Sequence, residues 1–102
     1  MSDESIPIVC TLNDAAFRER ELSVLQKIKA SIIESNETVD GFAFRFPPDD
    51  DSFAMLSEFI ALERRCCPFL DFKMTVPRGG GDIRLELSGA EGAKEFIAAN
   101  FA

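Results

Sequence analysis

The sequence predicts an α+β fold, a two-layer sandwich with elements in the order β-α-β-α-β-β-α, and three observations carry that prediction. Apolar residues alternate with polar ones over four separate short runs, which is the period of half-buried strands. They recur at three- and four-residue spacing over two long stretches and one short one, the period of amphipathic helices. The chain has 102 residues, 46% of them hydrophobic, which suits one small globular domain, here 1–102 with a core over about 6–101.

The elements follow in order. Residues 7–12, Pro-Ile-Val-Cys-Thr-Leu, read as a short strand with Ile8, Cys10 and Leu12 on one side. Asn13 then stands as a helix cap, and from 14 to 34 the residues Phe17, Val24, Leu25, Ile28 and Ile32 form one buried stripe. From Thr38 to Phe46 the rings of Phe42, Phe44 and Phe46 share one side of a strand, which Pro47-Pro48 ends.

Asp49, Asp50 and Asp51 open the second helix, where acidic groups satisfy free N–H groups and the helix dipole. It runs over about 50–67, and Arg64, Arg65 and Pro68 mark its end. The runs Leu70-Phe72-Met74-Val76 and Ile83-Leu85-Leu87 form a hairpin around Gly79-Gly80-Gly81. A loop from Arg78 to Gly81 sets Lys73 opposite Glu86 and Met74 opposite Leu85, a register that pairs opposite charges and keeps apolar residues inward. Ser88 and Glu91 match a capping box for the last helix, with Ala93, Phe96, Ile97 and Phe101 as its buried stripe. One apolar sheet face would lie under the helices; the mixed polar face would be solvated or form a homodimer surface.

Charge and composition narrow the function. With 18 acidic against 11 basic groups, the net charge of -7 repels phosphate backbones and anionic lipid, so neither nucleic acid nor a membrane surface is expected as a partner. The sequence has no histidine, which removes catalytic triads, imidazole shuttles and every His-containing metal site. Without a signal-like or membrane-spanning apolar run the expected location is cytoplasmic, and there the three cysteines are expected as free thiols or thiolate ligands.

Chemistry concentrates at Cys66-Cys67-Pro68-Phe69. Phe53, Leu56, Ile60, Glu63 and Cys67 follow 3, 4, 3, 4 spacing, which puts a carboxyl on an apolar helix face one turn below a thiol. Such a pair suits a thiophilic cation, or lets the carboxylate take the thiol proton. The bland alternative is a Glu63 reaching to water and cysteines acting as small core hydrophobes. Adjacent cysteines are poor disulfide partners for each other but plausible soft-metal ligands. The candidate site is therefore Cys66, Cys67 and Glu63, with Cys10 as a third sulfur, for a soft metal or metalloid ion. A thiol enzyme or redox protein using Cys67 with Glu63 as its base is the alternative, and a purely structural, self-associating domain is the third. The aspartate run lacks the spacing of a calcium loop, and the glycine run opens no helix that could cradle phosphate.

The segment Ile60-Ala-Leu-Glu-Arg-Arg-Cys-Cys-Pro-Phe-Leu70 resembles a family of small uncharacterised bacterial proteins. The resemblance extends to Cys10-Thr-Leu12, to Gly41-Phe-Ala-Phe-Arg-Phe-Pro47 and to Ser88-Gly-Ala-Glu-Gly92, and its core is Glu-x-x-Cys-Cys-Pro-Phe. It implies a single soluble domain and no established activity. Cys67-Pro68 is also faintly similar to mercury-responsive bacterial regulators, where a Cys-Pro dipeptide after a helix supplies one of three thiolates. No DNA-reading helix-turn-helix accompanies it here.

Overall fold

The computed structural model describes residues 14–101. The expected strand over 7–12, with Cys10, and the proposed cap Asn13 lie outside those residues. Within them the architecture is α+β, with helices packed against a four-stranded antiparallel sheet.

Helix α1 spans Ala15–Ser31 and is capped by Asp14, whose side chain accepts from the Phe17 N–H at 3.2 Å. Asp14 thus takes the role assigned to Asn13, and the helix stops three residues short of the expected 34. Strands β1 (Glu34–Glu37) and β2 (Gly41–Phe46) follow as a hairpin. A single strand was expected over 38–46, but the chain turns at 38–40, where the Thr38 N–H reaches the Gly41 carbonyl at 2.9 Å. β1 reads Glu-Ser-Asn-Glu and is exposed along its whole length, so it lacks the apolar alternation that reveals a strand.

Helix α2 (Asp50–Cys66) matches expectation at both ends. Asp49 caps it by accepting from the Ser52 N–H at 2.8 Å, Asp50 and Asp51 occupy the first turn, and Arg64 and Arg65 the last. Its buried face is rotated from the expected one. The buried stripe is Ser52, Leu56, Phe59, Glu63 and Cys66, while Phe53 is 46% exposed.

Strands β3 (Leu70–Thr75) and β4 (Ile83–Gly89) pair in the expected register, Lys73 opposite Glu86 and Met74 opposite Leu85. Val76 falls beyond the strand and is exposed. Gly79 and Gly80 take positive φ in the connecting turn, a conformation that favours glycine. The sheet order β1-β2-β4-β3 makes β4 central.

Helix α3 (Ala93–Asn100) begins later than the Ser88–Glu91 motif predicts. Ser88 is committed to β4, paired with Gly41 and Asp71, so it cannot cap, and the helix opens at Gly92 with no side-chain cap. The expected stripe holds, with Ala93, Ile97 and Phe101 buried and Phe96 partly so.

The inner sheet face carries Phe44, Phe46, Leu70, Ile83, Leu85 and Leu87 into one core with Leu56 and Phe59 of α2, Val24 and Ile28 of α1 and Ile97 of α3. Phe59 meets Phe72 and Phe101 edge to face. The outer face carries exposed Arg45 and Arg84, which pair with Asp82 at 3.0 Å and Glu86 at 3.2 Å, and Arg45 also pairs with Glu34. No helix among the described residues is long and apolar enough to cross a membrane.

Candidate functional site

The site forms where α2 ends against α1 and α3. Pro68 cannot continue the helix, so the last turn closes at Cys67, whose backbone N–H bonds the Glu63 carbonyl at 2.6 Å. The Leu70 N–H then bonds the Cys67 carbonyl at 3.1 Å and starts β3. Cys67 is therefore fixed from both sides by backbone, before any side-chain contact is counted.

That placement brings Cys67 and Glu63 together as the i, i+4 spacing predicts. The Cys67 thiol donates to Glu63 Oε1 at 3.4 Å. Glu63 is only 1% exposed, which overturns the alternative of a carboxylate reaching to water. Its second oxygen, Oε2, meets no donor among the described residues.

The structure adds a residue that the sequence reading missed. Glu21 of α1 is 8% exposed and interacts with the Glu63 carboxyl. Two carboxylates at hydrogen-bond range repel, so contact is favourable only while one of them keeps a proton that it can donate to the other. Glu63 is drawn towards its neutral form. Burial first, then the hydrogen bond and charge of Glu21, push its pKa from an ordinary 4.5 up to about 9, with the Cys67 contact acting weakly in the opposite sense. The signal for Glu21 was present in the sequence, since Phe17, Glu21, Val24 and Ile28 follow 4, 3, 4 spacing.

Cys67 is pushed upward as well, by burial and then by the negative charge and hydrogen bond of Glu63. Its seat at the negative end of the α2 dipole works in the same direction. The resting group is a neutral thiol beside a neutral acid.

The two adjacent cysteines differ in state. Cys67 is a free, buried thiol, whereas Cys66 is engaged in a disulfide, against the expectation that the thiols would be free. Both are buried, at 3% for Cys66 and 2% for Cys67. They share with Glu21 and Glu63 a cavity of about 160 Å³ that Phe96 and Phe101 of α3 wall on one side and Arg18 of α1 borders. Cys10 lies outside the described residues. Among the described residues no three Cys, Asp or Glu side chains are grouped so as to hold a metal ion.

Comparison with family models, with curated proteins and with solved structures returned no match to this chain.

Proposed function

We propose that the C-terminal end of α2 is a thiol-based binding site for a soft metal ion or metalloid, with Cys67 and Glu63 at its centre and Cys66 as the adjacent sulfur. Cys10 stays the third sulfur of the set drawn from sequence. The observation that carries the reading is Glu63, a fully buried acid set against the Cys67 thiol on one oxygen and facing Glu21 across the same cavity. A buried carboxyl whose proton affinity is strongly raised, set against a thiol in a cavity, is the kind of group that concentrates where a protein does chemistry.

A thiophilic cation seated here displaces the Cys67 thiol proton and the Glu63 proton, both released to solvent, and gains thiolate and carboxylate charge within the same helical turn. Sulfur selects for a soft ion, and the chain offers no imidazole to shift that preference. Glu21 faces the same cavity and adds a second carboxyl to balance a divalent charge.

The thiol-enzyme reading asks for an ionised Cys67 with Glu63 as base. The environment works against both roles, because Glu63 holds its proton at neutral pH and the thiol is pushed up rather than down. A homodimer through the outer sheet face would have to desolvate the ion pairs of Arg45 and Arg84.

Titration of the reduced protein with Hg(II) or As(III), in competition with a small monothiol, tests the proposal. One ion per chain is expected, with affinity lost in Cys67→Ser and weakened in Glu63→Gln. Affinity no greater than that of the double variant Cys66→Ser, Cys67→Ser would remove it.

A further inference from the structure

We infer that the disulfide at Cys66 is a redox gate on this site: closed, it withholds the second sulfur, and opened by a dithiol reductant it completes the site for a soft metal ion or metalloid. The inference rests on the binding reading above and adds its control. Neighbouring residues of one helix end are held in opposite states, Cys66 oxidised and Cys67 a thiol, although both border one cavity. Cys66 lies three residues and Cys67 four residues beyond Glu63, so both sulfurs start one helical turn above the same carboxyl.

In the closed form the cavity offers a single thiol. A soft ion needs at least two sulfurs to be held against competing cellular thiols. Opening the bridge is a two-electron step. The S–S bond breaks, Cys66 and its partner sulfur each take a proton, and the dithiol closes to its own disulfide. Binding then exchanges the thiol protons for S–metal bonds. Linkage makes the effect reciprocal, since an ion held by Cys66 keeps that sulfur from re-forming the bridge.

Arsenite is the appropriate probe, because a single thiol holds it poorly. Full-length protein is prepared oxidised, and reduced with the reductant removed under argon; intact-mass counting of maleimide adducts on denatured samples verifies each state, and circular dichroism the fold. The reduced form is expected to bind arsenite at least about 100-fold more tightly than the oxidised form, the usual gain when a second bond closes intramolecularly. Cys66→Ser should bind as weakly as the oxidised protein whether or not reductant was used. Equal affinity in both states, lost in Cys67→Ser, would overturn the gate while leaving the binding reading intact. No binding in either state, with maleimide showing Cys66 opened, would overturn both. Full maleimide labelling of Cys66 in denatured protein that never met reductant would remove the gate on its own.

Discussion

The Cys67 thiol donates to Glu63 Oε1 across 3.4 Å between two almost fully buried side chains, and the same two residues are joined again by the Cys67 N–H and the Glu63 carbonyl. The helix end and its candidate chemistry are thus one structure. Substitutions at the site should be read against that, because what alters the acid also alters the cap.

Glu63 sets a pH dependence of stability whose sign is fixed by its pKa. Folding raises that value from 4.5 to about 9, so the native state binds more protons than the unfolded chain between those limits. Its contribution is fully favourable below about pH 4.5 and is lost progressively as pH rises towards 9. Glu63→Gln keeps an acceptor for the thiol and gains a donor for Glu21, without the proton linkage. Its stability should equal the wild type near pH 4 and exceed it at pH 8 by up to about 5 kcal/mol, since each pH unit above 4.5 is worth about 1.4 kcal/mol at most. Urea unfolding at the two pH values measures this, and parallel curves for the two proteins would contradict it.

Cys67 should be slow to alkylate. Burial and the neighbouring acid both hold the thiol neutral, so iodoacetamide at pH 7.5 is expected to modify it at least about 10-fold more slowly than free cysteine. Unfolding in urea should abolish the difference. A native rate equal to that of free cysteine would mean an activated thiol and would restore the enzyme reading.

The outcome for Glu63 shows what the sequence could and could not supply. A carboxyl on an apolar stripe was legible because the stripe itself was legible, and the hairpin register was legible because Lys73 and Glu86 pair only one way if Met74 and Leu85 are to face inward. β1 was not legible, since four exposed polar residues carry no hydrophobic period. The start of α3 was misread because Ser88 and Glu91 have capping-box spacing, yet Ser88 hydrogen-bonds as part of a central strand, and sheet pairing overrides a local motif. The rotation of α2 followed from tertiary packing. Phe53 and Phe59 fit equivalent stripes on the wheel, and the sheet's rings and α3 select Phe59. Glu21 could have been found by the same spacing test that singled out Glu63.

Phe59 should be the costliest of the aromatic truncations on α2. It is 1% exposed and packs edge to face against both Phe72 and Phe101, so Phe59→Ala leaves a cavity between α2, the sheet and α3. The expected loss is about 3–5 kcal/mol, against less than about 1 kcal/mol for the half-exposed Phe53→Ala. Similar losses for the two would mean that the buried stripe is the one centred on Phe53.

Gly41 carries the last prediction. It opens β2 opposite Ser88, and a Cβ built there would stand 1.8 Å from the Leu87 carbonyl oxygen and 2.8 Å from the Ser88 Cα, both backbone atoms of the central strand. A flexible side chain could move aside, but β4 is hydrogen-bonded on both edges, to β2 and to β3. Gly41→Ala must therefore push the β2 end away from β4 and break ladder bonds there, with the neighbouring Thr38–Gly41 turn bond at risk. A destabilisation of about 2–4 kcal/mol is expected, beyond the usual range for a surface glycine and comparable to a core truncation. Gly80→Ala serves as the comparison, since a Cβ there meets nothing within 4 Å and the cost is limited to its positive φ, about 1 kcal/mol. Thermal unfolding of the two variants side by side decides it: a Gly41→Ala protein as stable as Gly80→Ala would mean that the two strands do not approach so closely.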